Sequence, residues 1–149
     1  AGIGVAVPDM ANVTYDNNGL VQAVINASGQ TAFVHELAGP PITAANNYGV
    51  WSDVSGTFRL MLRKGDFAPF AGGALFQEFE TVMLNDAGQV VVVATLTGGG
   101  IGTSNNQGVW MTDSAGLFQL VIRRGPSFER NPISTSGSIP DTSLLSSAR

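Results

Sequence analysis

INASGQTAFVHELAGPPITAANNYGVW (residues 25–51) and LNDAGQVVVVATLTGGGIGTSNNQGVW (residues 84–110) align without a gap, and 12 of the 27 pairs are identical. The identities include Asn26/Asn85, Gly29/Gly88, Gln30/Gln89 and the whole of Asn-Asn-x-Gly-Val-Trp, which ends at Trp51 and at Trp110. One extra residue then moves the offset from 59 to 60, and GTFRLMLRKG (56–65) matches GLFQLVIRRG (116–125). A repeat of this period is one supersecondary unit that cannot bury its apolar face alone and does so by stacking on a neighbour.

Short turn signals cut the repeat into strands. DNNG (16–19), NASG (26–29), DVSG (53–56), NDAG (85–88) and DSAG (113–116) share an Asn or Asp followed three places on by Gly. Such a side chain accepts a backbone N–H two residues on, and the glycine supplies the positive φ that closes a type I turn with a bulge. Each segment therefore predicts a tight hairpin. Between them, 20–25, 30–37, 48–52, 58–64, 79–84, 89–96, 107–112 and 118–124 carry β-branched and aromatic residues, giving eight strands, four per repeat. No glycine-free stretch of helical length carries a 3.6-residue apolar period. Residues 90–93 are all valine, so this strand is expected to be covered on both faces.

The expected fold is all-β, with four-stranded antiparallel modules in propeller-like succession, about two and a half repeats in one domain. A partial leading module occupies 1–16, repeat 1 spans 17–75, repeat 2 spans 76–135, and 136–149 is a partial third module or tail. Residues 3–7 fall where a preceding repeat would finish, and 139–145 where the first strand of a third would lie. Both segments are expected to pair as strands, either with each other within one chain to complete a blade or across chains to link subunits.

Composition narrows the function classes. Charged residues make up only 12% of the 149, about half the usual share. The net charge is −4 with a single lysine, Lys64, so no basic patch is available for nucleic acid or for an anionic membrane surface. Cysteine is absent, which removes disulfides, thiolate metal sites and cysteine nucleophiles. No apolar run approaches the ~18 residues of a membrane-spanning helix, so membrane insertion is not expected. The chain begins at Ala1 without Met, and this start, with little charge and much Gly, Ser, Thr and Asn, leads to the expectation of a processed, extracellular or cell-surface protein.

The groups that carry chemistry are sparse. His35 is the only histidine, and Ala94 replaces it in the second repeat, so it reads as a strand residue. Asp53, Asp66, Asp86 and Asp113 sit mostly where turns want a local acceptor, not as a catalytic carboxylate pair. No series of acidic ligands suits calcium, and the glycine run 98–102 lacks the lysine and helix of a phosphate loop. No enzyme, cofactor or metal is therefore expected. The repeated NNYGVW and NNQGVW segments are the candidate binding residues. Trp51 and Trp110 would stack on sugar rings while Asn46, Asn47, Asn105 and Asn106 bond hydroxyls. The alternative is that both indoles pack between sheets and the amides cap loops. Arg63 and Arg123 end a strand in each repeat and read as solvated or ion-paired.

NASGQTAF (26–33) fits the NxxGxxAF pattern of a group of bacterial tandem-repeat proteins, and RKGDFAP (63–69) resembles their R-x-G-D-x-A-P segment. The resemblance covers 17–125 and departs in the second copy, where Val91-Val92 replaces Ala-Phe and Pro126 replaces Asp66. It implies secreted or surface-anchored chains whose repeats are β-propeller blades, and it carries no catalytic residue. A propeller closes with about four to eight blades, so two and a half leave edges and faces uncovered. The functional expectation is a non-enzymatic extracellular structural or adhesive protein, such as a filament or ring subunit, that self-assembles into a homo-oligomer. The alternative is a lectin-like carbohydrate-binding module.

Overall fold

The computed structural model describes residues 4–125, and within them the chain is all β. Strands β1 (Thr14–Ile25), β2 (Thr31–Ala38), β3 (Tyr48–Ser52) and β4 (Arg59–Arg63) are followed by β5 (Leu75–Leu84), β6 (Val90–Thr97), β7 (Gln107–Thr112) and β8 (Phe118–Arg123). They make two four-stranded antiparallel sheets, ordered β1-β2-β3-β4 and β5-β6-β7-β8, one per repeat.

Four of the five turn signals close hairpins as expected. Gly29, Gly56, Gly88 and Gly116 have φ of 80°, 98°, 79° and 80°. Their amides bond back to the carbonyls of Asn26, Asp53, Asn85 and Asp113 at 3.0, 2.7, 3.1 and 3.0 Å. The fifth, Asp16 to Gly19, is a correction: it lies inside β1. Asp16 Oδ1 does accept the Asn18 amide at 2.9 Å, but the local turn is absorbed as a bulge. Tyr15 pairs with Leu37 and Leu20 with His35, so four residues of β1 stand against Glu36 alone. The strand continues because its partner continues through the gap.

The leading segment is a second correction. Residues 5–7 do not end an earlier repeat but fold back on the start of β1. Tyr15 N–H donates to Val5 O at 2.9 Å and Val7 N–H to Val13 O at 3.1 Å. The loop they close recurs at the head of the second sheet, where Phe76 N–H donates to Asp66 O at 3.0 Å and Ala68 N–H to Ala74 O at 2.8 Å. Even the strained backbone recurs, since Asp9 and Phe70 have φ of 63° and 59° and Asn12 and Gly73 are both positive. Each repeat thus begins with this loop. The strand expected at 139–145 lies outside the described residues.

The core lies mostly between the two sheets. Ala32, Val34, Val50 and Leu62 of the first sheet join Phe79, Val82, Val92, Ala94 and Trp110 of the second in one buried cluster. β5 is the strand of the second sheet that meets β1, β2 and β3. A smaller cluster, Val7, Val13, Leu37 and Trp51, lies under the leading loop.

Candidate functional site

Trp51 and Trp110 are both fully buried, so the packing alternative describes them and neither indole offers a face to a sugar. Their surroundings repeat closely. Tyr15 meets Trp51 edge-on with centroids 5.1 Å apart at 71°, and Phe76 meets Trp110 at 5.0 Å and 72°. The two sites differ at the indole nitrogen. Trp110 Nε1 donates to Pro69 O at 2.9 Å, whereas buried Trp51 Nε1 has no partner. Pro69 closes the RKGDFAP segment and lies in the loop that heads the second sheet, so that motif runs from the end of β4 to the second repeat's own tryptophan.

The asparagines hold loops. Asn46 Oδ1 accepts from Thr43 N–H at 2.8 Å and its amide donates to Pro41 O at 3.4 Å; Asn105 does the same with Gly102 N–H at 2.7 Å and Gly100 O at 2.9 Å. Arg63 Nε donates to Asn46 O at 3.1 Å and Arg123 Nε to Asn105 O at 3.0 Å, so each arginine clamps the loop beside its own strand. Asn47 donates to Glu36 Oε1 at 2.7 Å, and Asn106 is half-buried, its carbonyl accepting from Leu96 N–H at 2.8 Å. These six residues do not line an open pocket.

The carboxylates are likewise engaged. Asp53 accepts Thr31 N–H at 2.6 Å and Asp86 accepts Ala27 N–H at 2.9 Å across the two repeats. Asp113 accepts the amides of Ala115 and Leu117 and the Gln119 side chain, and the Leu117 bond leads in holding its pKa below the usual carboxylate value. Burial raises Asp66, against the lowering pull of Arg63. His35 Nδ1 lies 2.8 Å from Glu36 O, with its ring edge-on to Tyr15. Among the described residues no cluster of three His, Asp or Glu could hold a metal, and no helix is long and apolar enough to cross a membrane.

What remains open to a partner is sheet face. We call the face of each sheet that bears its tryptophan the leading face and the opposite one the trailing face. In the second sheet the leading face is closed: Val82 and Val92 are a cross-strand pair, as are Phe79 and Ala94, and all four are buried. The corresponding pairs of the first sheet are Ala23 with Phe33 and Leu20 with His35. Here Ala23 is exposed, Phe33 and His35 are half-buried, and Leu20 is 59% exposed against 6% for Phe79. Together with Val5 and Tyr15 they line an open bowl of about 450 Å³.

The trailing faces mirror this. Ala32, Val34, Val50 and Leu62 are buried in the first sheet, whereas Val91, Val93, Val109 and Ile122 of the second are only half-covered. The expectation that the valine run is covered on both sides therefore holds for Val90 and Val92 and fails for Val91 and Val93. Sequence reasoning expected uncovered sheet faces but named none of the residues that form them. Their signal was the apolar alternation itself, which marks a face for burial without saying whether a neighbour is there.

Comparison with known proteins adds membership without activity. The chain belongs to a family of unknown function (DUF7453), whose model matches residues 2–148. No curated protein and no solved structure matches it.

Proposed function

We propose that this protein is a non-enzymatic structural or adhesive subunit of the cell exterior, whose propeller-like modules self-associate into a homo-oligomer, ring or fibre. The observation that supports this best is the bowl of Leu20, Ala23, Phe33 and His35 on the first sheet. Residues at the matching positions of the second sheet are buried, so the chain carries a surface whose composition suits coverage. An apolar sheet face left open marks an interaction site. The NxxGxxAF resemblance supports the extracellular setting and the succession of blades. Carbohydrate binding through the Asn-Asn-x-Gly-Val-Trp segments is the weaker reading, because both indoles are enclosed and Asn46 and Asn105 are occupied by their own loops.

Native mass of the full chain at micromolar concentration tests the proposal. A defined oligomer is expected. A monomer at all accessible concentrations would overturn it.

A further inference from the structure

The junction between the two sheets is a worked example of how one module receives the next. At that junction the first sheet's trailing face meets the second sheet's leading face, and the apolar residues of both are buried. The chain carries one more face of each kind, uncovered among the described residues, on opposite sides of the pair. Both keep the apolar pattern of their buried counterparts except at His35, which stands where the second sheet has Ala94. Val93 and Val109 repeat Val34 and Val50, Ile122 stands for Leu62, and Phe33 stands for Val92. Phe58, 44% exposed, holds the position of Phe118, which is 8% exposed.

We infer that the trailing face of the second sheet, bearing Val91, Val93, Val109 and Ile122, docks head to tail on the leading face of the first sheet of another copy, repeating between chains the contact made within one. The occupant is a second copy because only this chain is shown to present the matching surface: its own trailing face already covers a leading face of the same pattern. The bowl on the leading face is also lined by Asp16 and the hollow on the trailing face by Arg124, so opposite charges fringe the two apolar patches. Part of the polar fringe also carries over. Asn26 Nδ2 donates to Asn85 O at 3.0 Å between modules, and Asn85 has the same side chain to offer the Asn26 carbonyl of the next copy. The bond from Ala27 N–H to Asp86 does not carry over, since Ala27 stands where Asp86 would accept. The contact between chains is therefore weaker than the one within. Because it joins two different patches, each added copy leaves one of each open, and assembly proceeds to a ring or a filament.

This inference rests on the self-association proposed above and specifies its geometry. The test uses full-length Ala23→Arg, which blocks only the leading face, and Val93→Arg, which blocks only the trailing face. Each should be monomeric alone by native mass spectrometry. Mixed in equal amounts they should form a one-to-one dimer and nothing larger, since one functional face of each kind remains. Emission from the buried tryptophans reports that both are folded; Leu20→Asp and Ile122→Glu replace either variant that is not. A monomeric wild type would overturn both the self-association and this contact. An oligomeric wild type whose variants stay assembled would overturn the face contact alone, placing another occupant, such as the chain's own residues 126–149, on the trailing face. So would variants that are monomeric alone and remain so when mixed, because one intact face of each kind would then have met without docking.

Discussion

Gly49 and Gly108 are held in place by the tryptophan two residues further on. A Cβ on Gly49 would lie 2.5 Å from Trp51 Cη2, and one on Gly108 would lie 2.7 Å from Trp110 Cη2. Each indole thus lies back over a glycine on its own strand, which explains why Gly-Val-Trp recurs as a unit. Gly108→Ala should destabilise the protein by about 1–3 kcal/mol through overpacking. Gly99→Ala, with open space around the added methyl, should change stability little. Urea unfolding measures both, and equal midpoints would mean that the ring moves aside freely. The two tryptophans make a second comparison. Replacement by Phe removes similar volume from each site, but only Trp110→Phe strips a partner, the Pro69 carbonyl, of its donor. Trp110→Phe should therefore cost about 1 kcal/mol more than Trp51→Phe. The reverse order in urea unfolding would show that the Pro69 bond contributes nothing.

At the scale of elements, the hairpin at Asp113 has a pH signature. Its carboxylate is held by backbone amides, Leu117 foremost, so its pKa in the folded protein is below the unfolded value. The sign follows by linkage: the stabilisation is present above the unfolded pKa, near 3.9, and is lost as pH falls through the lowered folded value. Asp113→Asn keeps a turn-forming acceptor, as Asn26 and Asn85 do in their own hairpins, but removes the titration. Melting temperature against pH should thus fall more steeply on acidification for the wild type than for the variant. Parallel curves would mean that the bonds to Asp113 do not distinguish its charged form. Such turns were legible because Asx chemistry is local, and the strands they bound were legible from composition. Asp16 was misread because its bond to Asn18 forms equally well inside a bulged strand, and the choice depends on the continuity of β2 across the gap. The loop heading each repeat was illegible for a different reason. Residues 6–15 and 67–76 share only a proline in sequence, Pro8 and Pro69, while their hydrogen bonds and positive φ angles coincide. The burial of both indoles was illegible too: the spacing of Asn46, Asn47 and Trp51 showed a repeated segment, but not which way its indole turns.

Across the whole molecule, the two sheets are coupled strongly enough that neither should unfold alone. The second sheet's Val82 and Val92 share one buried cluster with Val34 and Val50 of the first. Its Trp110 hangs from Pro69, in the connection between them. Arg123 Nη1 donates to Ala71 O of the loop that heads its own sheet at 3.3 Å, and between the sheets Val82 N–H donates to Gln22 Oε1 at 2.8 Å. In stacked repeats, nearest-neighbour contacts of this kind supply much of the stability of each unit, and unfolding is cooperative when they dominate. Each tryptophan sits in a different repeat, so single-tryptophan versions made with Trp51→Phe or Trp110→Phe report on the modules separately. Val34→Ala, on the first sheet's trailing face, should lower stability by about 2 kcal/mol from lost burial and the cavity left behind. It should shift the urea midpoint seen by Trp110 as much as the midpoint seen by Trp51, although Val34 belongs to the first sheet. If only the Trp51 signal moved, the sheets would be separately folding units, and the face between them would contribute contact without coupling.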